Sequence, residues 1–222
     1  MMTSSAMVFV IDDDASMRKS LNRLLDAAHY KTELFKSASE FLTRSAHPGP
    51  SCVIVDVRMP GLNGIDFQKA LIEYGREEQL VFITGHGNIP MCAQVMKAGA
   101  IDFLPKPFKP RQLLESVERA LARSAEQRRR ALDKNHARAL LDRLTPREYE
   151  VMQLVATGML NKQVGAELEM AEKTVKTHRA HMMQKLGITS VAELMGVLQR
   201  AEVSAVVRPG TKVSLRFANP RR

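Results

Sequence analysis

The sequence predicts two domains of different class: a doubly wound (βα)5 α/β domain with a central parallel sheet, then a small all-α domain. Three observations carry this expectation. Over the first half, short apolar, β-rich runs alternate five times with stretches of helical spacing, the pattern of a parallel sheet covered on both faces. Over the second half that pattern stops, and short helices follow one another, separated by glycines and capping residues. Charge divides the same way: residues 1–125 hold 15 Lys+Arg against 14 Asp+Glu, whereas residues 126–222 hold 18 against 10. Nearly all of the net charge of +9 therefore lies in the second half. That suits a polyanion partner such as nucleic acid, and on charge alone it suits a merely solvated basic face equally well.

Composition removes several classes. At 222 residues the chain has room for one large or two small domains, and 45% hydrophobic residues suffice for real cores. No window reaches the roughly 18 apolar residues of a membrane span, and no basic segment with an apolar run marks a signal peptide. A cytoplasmic protein with no membrane partner is expected. Cys52 and Cys92 are the only cysteines, which reads as reduced core thiols, and no Cys/His spacing suggests zinc.

Taken in order, residues 7–11 are apolar and β-rich and run into Asp12-Asp13-Asp14. Residues 15–28 show helical spacing through Met17, Leu21, Leu24 and Leu25. Residues 30–35 read as a weak strand, and Ala38, Phe41 and Leu42 mark a short helix. After the loop His47-Pro48-Gly49-Pro50 comes Ser51-Cys52-Val53-Ile54-Val55-Asp56, an apolar run suited to a strand buried on both faces. A helix over 64–74 follows, then a buried strand over 80–83 ending in Thr84-Gly85-His86-Gly87. Pro90 opens the next helix and Ala98-Gly99-Ala100 closes it. A fifth strand over 101–104 leads into Pro105-Lys106-Pro107, and a helix starts near Pro110.

In such a sheet the chemistry lies past the carboxyl ends of the strands, at the switch point of the topology. Those ends carry Asp12/Asp13, Asp56, Thr84 and Lys106. Alone, Asp56 reads first as an N-cap or turn aspartate; the convergence changes that reading. Three clustered carboxylates repel one another unless a cation holds them, and an all-oxygen set suits Mg²⁺, with Mn²⁺ as a substitute. A carboxylate beside such an ion can accept a phosphoryl group, with Lys106 neutralising it and Thr84 hydrogen-bonding it.

Residues 7–125 resemble a response-regulator receiver domain. The matching motifs are Asp12-Asp13, Asp56, Met59-Pro60-Gly61, Thr84-Gly85-His86-Gly87 and Lys106-Pro107-Phe108; the stretch from Thr84 through Met96-Lys97-Ala98-Gly99-Ala100 is similar to the FixJ subgroup. The resemblance implies that Asp56 is the phosphoacceptor. It implies that Asp13 and Asp56 ligate Mg²⁺ directly, Asp12 through water, and Arg58 through its main-chain carbonyl. Thr84 and Phe103 would form a switch pair; Phe103 lacks the hydroxyl of the tyrosine often found there. Arg58 and His86, each two residues past a strand end, are expected to tune the lifetime of the phosphate.

Residues 126–143 are charged and helical and read as a linker extending the last receiver helix. Residues 144–205 then form the all-α domain. Thr145-Pro146-Arg147-Glu148 is a capping box with Pro at the first position, and Gly158 stops that helix. Asn161 is expected to cap a second helix, residues 171–174 start a third that ends at Gly187, and Ser190 begins a fourth. Four short helices, one presenting Lys and Thr outward, fit a helix-turn-helix reader or a small packing module. Leu144-Thr145-Pro146-Arg147-Glu148, Asn161-Lys162, Thr174-Val175-Lys176-Thr177-His178 and Lys185-Leu186-Gly187 resemble a LuxR/NarL-type DNA-binding domain. By that resemblance Lys176 and Thr177 enter the major groove, Ala180 faces bases, and Asn161, Lys162, Thr174 and Arg179 meet phosphates. The tail over 206–222 lies beyond the match; Val213, Leu215 and Phe217 alternate there as an edge strand would.

The two resemblances together imply a two-component response regulator of the FixJ/NarL type. Its partners would be a sensor histidine kinase, promoter DNA and RNA polymerase, with a homodimer forming on phosphorylation and activation the expected outcome. The chain would not be an enzyme beyond accepting and losing its own phosphoryl group. One enzyme reading competes: residues 8–14 also fit the strand plus Asp-x-Asp of haloacid-dehalogenase-like phosphatases, with Asp12 as nucleophile and Asp14 as acid/base. That reading leaves Asp56, Thr84, Lys106 and the basic second half unexplained.

Overall fold

The structure is a computed structural model that describes residues 5–85 and 88–204. Two compact units divide the chain, Met1–Arg129 and Arg130–Arg222.

In the first unit β1 (Met7–Ile11), β2 (Lys31–Phe35), β3 (Ser51–Asp56), β4 (Gln79–Thr84) and β5 (Asp102–Pro105) form one parallel sheet in the order β2-β1-β3-β4-β5. The order turns back after β2, so β1 and β3 lie side by side in the middle and bring Asp12 and Asp56 to one edge. Every residue of β3 and of β4 is buried, as an apolar run without alternation predicts for strands covered on both faces. Alternate side chains point to opposite faces. Phe9, Ile11, Val53, Val55 and Phe82 meet Phe41 of α2 (Ala38–Leu42), Phe67 and Leu71 of α3 (Gly64–Glu73) and Val95 of α4 (Ile89–Lys97). Val8, Val10, Cys52, Ile54, Val81 and Ile83 meet Leu21 and Leu25 of α1 (Ala15–Ala27) and Leu113 and Val117 of α5 (Pro110–Leu141).

Helix α5 continues past the sheet as one element of 32 residues. Its stretch near residue 125 is tied to the amino-terminal edge of the sheet. The Ser51 N–H donates to Ser124 Oγ at 3.0 Å, Gln79 Nε2 donates to Gln127 Oε1 at 2.7 Å, and Arg128 donates to the carbonyls of His47 and Pro48.

The second unit packs the end of α5 with α6 (Pro146–Ala156), α7 (Asn161–Glu167), α8 (Glu172–Leu186) and α9 (Val191–Ala201). Ala137 and Leu141 are buried in the same core as Val151, Met152, Val164, Met182 and Leu194. Arg138 Nε donates to the Ala201 carbonyl at 3.1 Å. Thr145 and Glu148 form the expected capping box, Ser190 caps α9, and Gly187 ends α8 in the left-handed region at φ 66°.

One expectation is corrected. Asn161 does not cap α7; Leu160 is the N-cap residue, and its N–H donates to Gln163 Oε1 at 2.8 Å. Asn161 is the first helical residue, and its side-chain oxygen is taken by Arg179 of α8 at 3.0 Å. A cap preference is local and weak, and a tertiary partner with a full charge outweighs it. The tail over 206–222 and its alternating residues lie outside the described residues.

Candidate functional site

β1 delivers Asp12 and Asp13 just past Ile11, β3 ends in Asp56, β4 ends in Thr84, and Lys106 follows β5. Parallel pairing puts these ends on one edge. Asp12, Asp13 and Asp56 each offer a carboxylate oxygen, all within 4.8 Å of one another. Lys106 Nζ donates to Asp12 Oδ2 at 2.9 Å and stands 3.6 Å from Asp56 Oδ1. The other Asp12 oxygen accepts the Asp14 N–H at 2.8 Å, so Asp12, 1% exposed, is held at both oxygens.

Asp56 differs. It is 7% exposed, and its Oδ1 is buried with no hydrogen-bond partner among the described residues. Burial pushes its carboxyl above the ordinary range, the Lys106 ammonium pulls it down, and the Asp12 charge pushes it up again, the balance being upward. A buried carboxylate oxygen left unpaired costs free energy unless something else supplies the contact. An all-oxygen donor set with one orphaned atom fits a hard divalent cation and the oxygens of a phosphoryl group.

Thr84 is fully buried, and its carbonyl accepts the Lys106 N–H at 2.7 Å. The register pairs Phe82 with Phe103 and Thr84 with Pro105, so Thr84 and Phe103 lie diagonally on the same face of adjacent strands. Phe103 is half-buried against the core on that face. Arg58 is exposed, and His86 lies outside the described residues.

Asp14, the third aspartate of the run, does not join the cluster. It caps α1, its Oδ1 accepting the Ser16 N–H at 2.7 Å. It therefore stands apart from the carboxylates at the strand ends, where a phosphatase reading would need its acid/base group.

In the second unit α8 buries Val175, Met182 and Leu186 and exposes Lys173, Thr174, Lys176, Thr177 and Ala180. Lys176 pairs with Glu172 at 2.9 Å on the exposed face, and Thr177 Oγ1 donates to the Lys173 carbonyl at 3.1 Å. Arg179 is half-buried and tied to Asn161, Lys162 is exposed, and His178 is half-buried. Helix α7 approaches the turn before α8 closely: a Cβ on Gly165 would stand 2.7 Å from the Met170 carbonyl oxygen.

Sequence reasoning missed four features. Arg18 donates to the main chain of Asp12 and Asp13. A Cβ on Gly64 would stand 2.7 Å from the Asp56 carbonyl oxygen, so only glycine lets α3 start against the acceptor strand. Gly165 has the same role between α7 and the turn after it, and Lys185 closes on Glu148. A glycine inside a helical pattern was the one available signal, since it marks either weakness or close approach.

Comparison with known proteins agrees with both units. The response regulator receiver domain matches residues 8–118, and the luxR family of bacterial regulatory proteins matches residues 142–198. The chain is therefore a two-component response regulator that acts as a transcription factor, not a conventional enzyme. Its receiver implies a kinase partner and its LuxR-type domain implies DNA binding, and Asp12, Asp13 and Asp56 form the acidic triad of a receiver metal site. Nodulation protein W of Bradyrhizobium diazoefficiens is 43% identical over 203 residues, covering 91% of this chain and 89% of that protein. Transcriptional regulatory protein FixJ of the same organism is 38% identical, covering 90% and 98%. The solved structure of response regulator StyR superposes with a TM-score of 0.79 at 43% identity, covering 88% of this chain and 98% of that one. The chain belongs to the family of response regulators that includes FixJ, nodulation protein W and TodT. Among the described residues no helix is long and apolar enough to cross a membrane.

Proposed function

We propose that Asp56 takes a phosphoryl group from a sensor histidine kinase and that the phosphorylated chain binds promoter DNA as a dimer. The observation that carries the reading is the buried Asp56 Oδ1, without a hydrogen bond among the described residues, 3.6 Å from the Lys106 ammonium and close to the Asp12/Asp13 pair. An Asp56 oxygen attacks the phosphorus, a P–O bond forms, and the donor leaves with the electrons of the bond it loses. Lys106 neutralises the transferring group and Thr84 hydrogen-bonds it. Asp13, Asp56 and the Arg58 carbonyl would hold Mg²⁺ directly and Asp12 through water, with Mn²⁺ as a substitute. The bound cation would supply positive charge to the phosphoryl oxygens.

Labelling with acetyl phosphate and Mg²⁺ tests the assignment. The wild type should label and Asp56→Asn should not; equal labelling of that variant would overturn it. Arg58 and His86 would set the lifetime by admitting or screening water, so a smaller residue at either should change the dephosphorylation rate while labelling persists; unchanged decay in both would remove that role.

Thr84 turning towards the phosphate would vacate space for the Phe103 ring and alter the surface made by α4 and β5. That surface would then pair with a second copy, since twofold pairing is the commonest homo-oligomeric solution. With a beryllofluoride mimic the full chain should move from monomer to dimer in analytical ultracentrifugation, and Thr84→Ala should blunt the shift; a monomer whose DNA affinity still rises would reject the dimer switch. Lys176, Thr177 and Ala180 would read bases, and Asn161, Lys162, Thr174 and Arg179 would meet phosphates. The protein would work in the cytoplasm, recruiting RNA polymerase to activate transcription; reporter expression that rises on deletion of the gene would make it a repressor.

A further inference from the structure

Three consecutive aspartates leave β1, and they leave it in different directions. Asp12 turns inward to Lys106, Asp13 stays exposed within reach of Asp56, and Asp14 caps α1. Holding these directions requires a fixed main chain at Asp12 and Asp13, because a small peptide rotation there moves a carboxylate out of the cluster. Pairing within the sheet supplies one contact, the Asp12 N–H donating to the Phe35 carbonyl at 3.3 Å. The carbonyls of Asp12 and Asp13 are both met by one side chain. Arg18 Nη1 donates to the Asp12 carbonyl at 2.6 Å and to the Asp13 carbonyl at 3.0 Å.

Arg18 can do this because of its place in α1. Its own N–H donates to the Asp14 carbonyl at 3.0 Å, the first bond of the helix, so its side chain starts one turn beyond the cap. Helical side chains lean towards the N-terminus, which aims this one back over the loop. The guanidinium thus fixes two successive peptides and sets a permanent positive charge beside a run of three aspartates.

We propose that Arg18 is a positioning residue for the divalent cation, acting through the main chain of the two aspartates and touching neither carboxylate. The inference rests on the reading of Asp12, Asp13 and Asp56 as the cation site. Groups that orient metal ligands tune metal affinity, and Arg18, which meets main-chain carbonyls only, is expected to act on cation binding and not on the phosphoryl transfer itself.

The test is Mg²⁺ binding to the full chain by isothermal titration calorimetry, with acetyl phosphate labelling followed against Mg²⁺ concentration. Arg18→Met and Arg18→Gln should each weaken Mg²⁺ binding roughly tenfold. Labelling at saturating Mg²⁺ should stay near the wild-type rate, and Arg18→Lys, which keeps the charge and one donor group able to meet both carbonyls, should restore part of the affinity. Wild-type Mg²⁺ affinity in either folded neutral variant would overturn the proposal. So would a rate that stays low at saturation, or an Arg18→Lys variant no better than Arg18→Met. A wild type that takes up no Mg²⁺ would overturn the cation-site reading itself, an outcome distinct from normal wild-type binding that Arg18 does not influence.

Discussion

Lys185 Nζ lies 2.6 Å from Glu148 Oε2, and so the last turn of α8 is bound to the first turn of α6. Glu148 is 3% exposed, and the same oxygen accepts the Thr145 N–H at 2.8 Å. One carboxylate therefore completes a capping box and fixes the helix that carries the proposed DNA contacts. Burial pushes the Glu148 carboxyl up, but its hydrogen bonds with Lys185 and Thr145 outweigh that and hold it below the ordinary carboxylate range. A depressed value means that the stabilisation is present above the unfolded carboxylate pKa, about 4, and is lost as pH falls through the folded value. Glu148→Gln should cost the second unit about 1–2 kcal/mol at pH 7 and flatten its acid-side loss of stability. Denaturant melts at several pH values check this, and parallel wild-type and variant curves would refute it.

The two glycines inside helices of the second unit should respond in opposite directions to alanine. A Cβ on Gly165 meets the Met170 carbonyl oxygen at 2.7 Å, whereas one on Gly196 meets only the Arg200 side chain at 3.5 Å. Gly165→Ala should therefore lower the melting temperature and weaken DNA binding. Gly196→Ala should gain up to about 1 kcal/mol from helix propensity. Thermal melts decide it, and a stable Gly165→Ala chain would show that α7 can shift without cost.

Removing the buried charge at Asp56 should stabilise the chain when no metal is present, because the desolvation of that charge and its repulsion by Asp12 are then absent. In a thermal melt Asp56→Asn should exceed the wild type without Mg²⁺, and Mg²⁺ should raise the wild type far more than the variant. An equal Mg²⁺ response in both would remove Asp56 from the cation site.

Lys176 and Arg179 should fail in different ways. Lys176 makes an exposed pair with Glu172, which DNA can displace at little cost. Lys176→Ala should cost about 1–3 kcal/mol at the specific site and relax sequence preference. Arg179 is oriented by Asn161, so Arg179→Ala should weaken binding to every sequence and lower the salt slope by roughly one, with Asn161→Ala following it in part. Titrations of specific and random duplexes at several salt concentrations separate the two; wild-type behaviour in both would move the DNA face away from α8.

The receiver half was open to sequence reasoning because its signals are local. Unbroken apolar runs at 52–55 and 80–83 identify strands buried on both faces, and a parallel sheet sends whatever ends those runs to one edge. Asp12, Asp56, Thr84 and Lys106 could be brought together by topology alone. The capping box at Thr145 and the stop at Gly187 were likewise visible, since each is written within a few residues.

Tertiary structure decided what depends on partners distant in the chain or on main-chain atoms, which carry no sequence signature. Arg18 meets carbonyl oxygens, and nothing in the identity of Asp12 or Asp13 reveals that their carbonyls need a donor. Asn161 looked like a cap because its locality favours one, yet the charge of Arg179, 18 residues away, claims its oxygen. Ala137 and Leu141 sit in a charged stretch that reads as a linker, and only packing into the core of the second unit buries them. The sequence by itself determined which elements form and which ends converge, because periodicity and parallel topology act through the backbone. Only the folded chain decided which polar atom meets which, because a hydrogen bond is settled by ångström-scale placement that neither periodicity nor composition specifies.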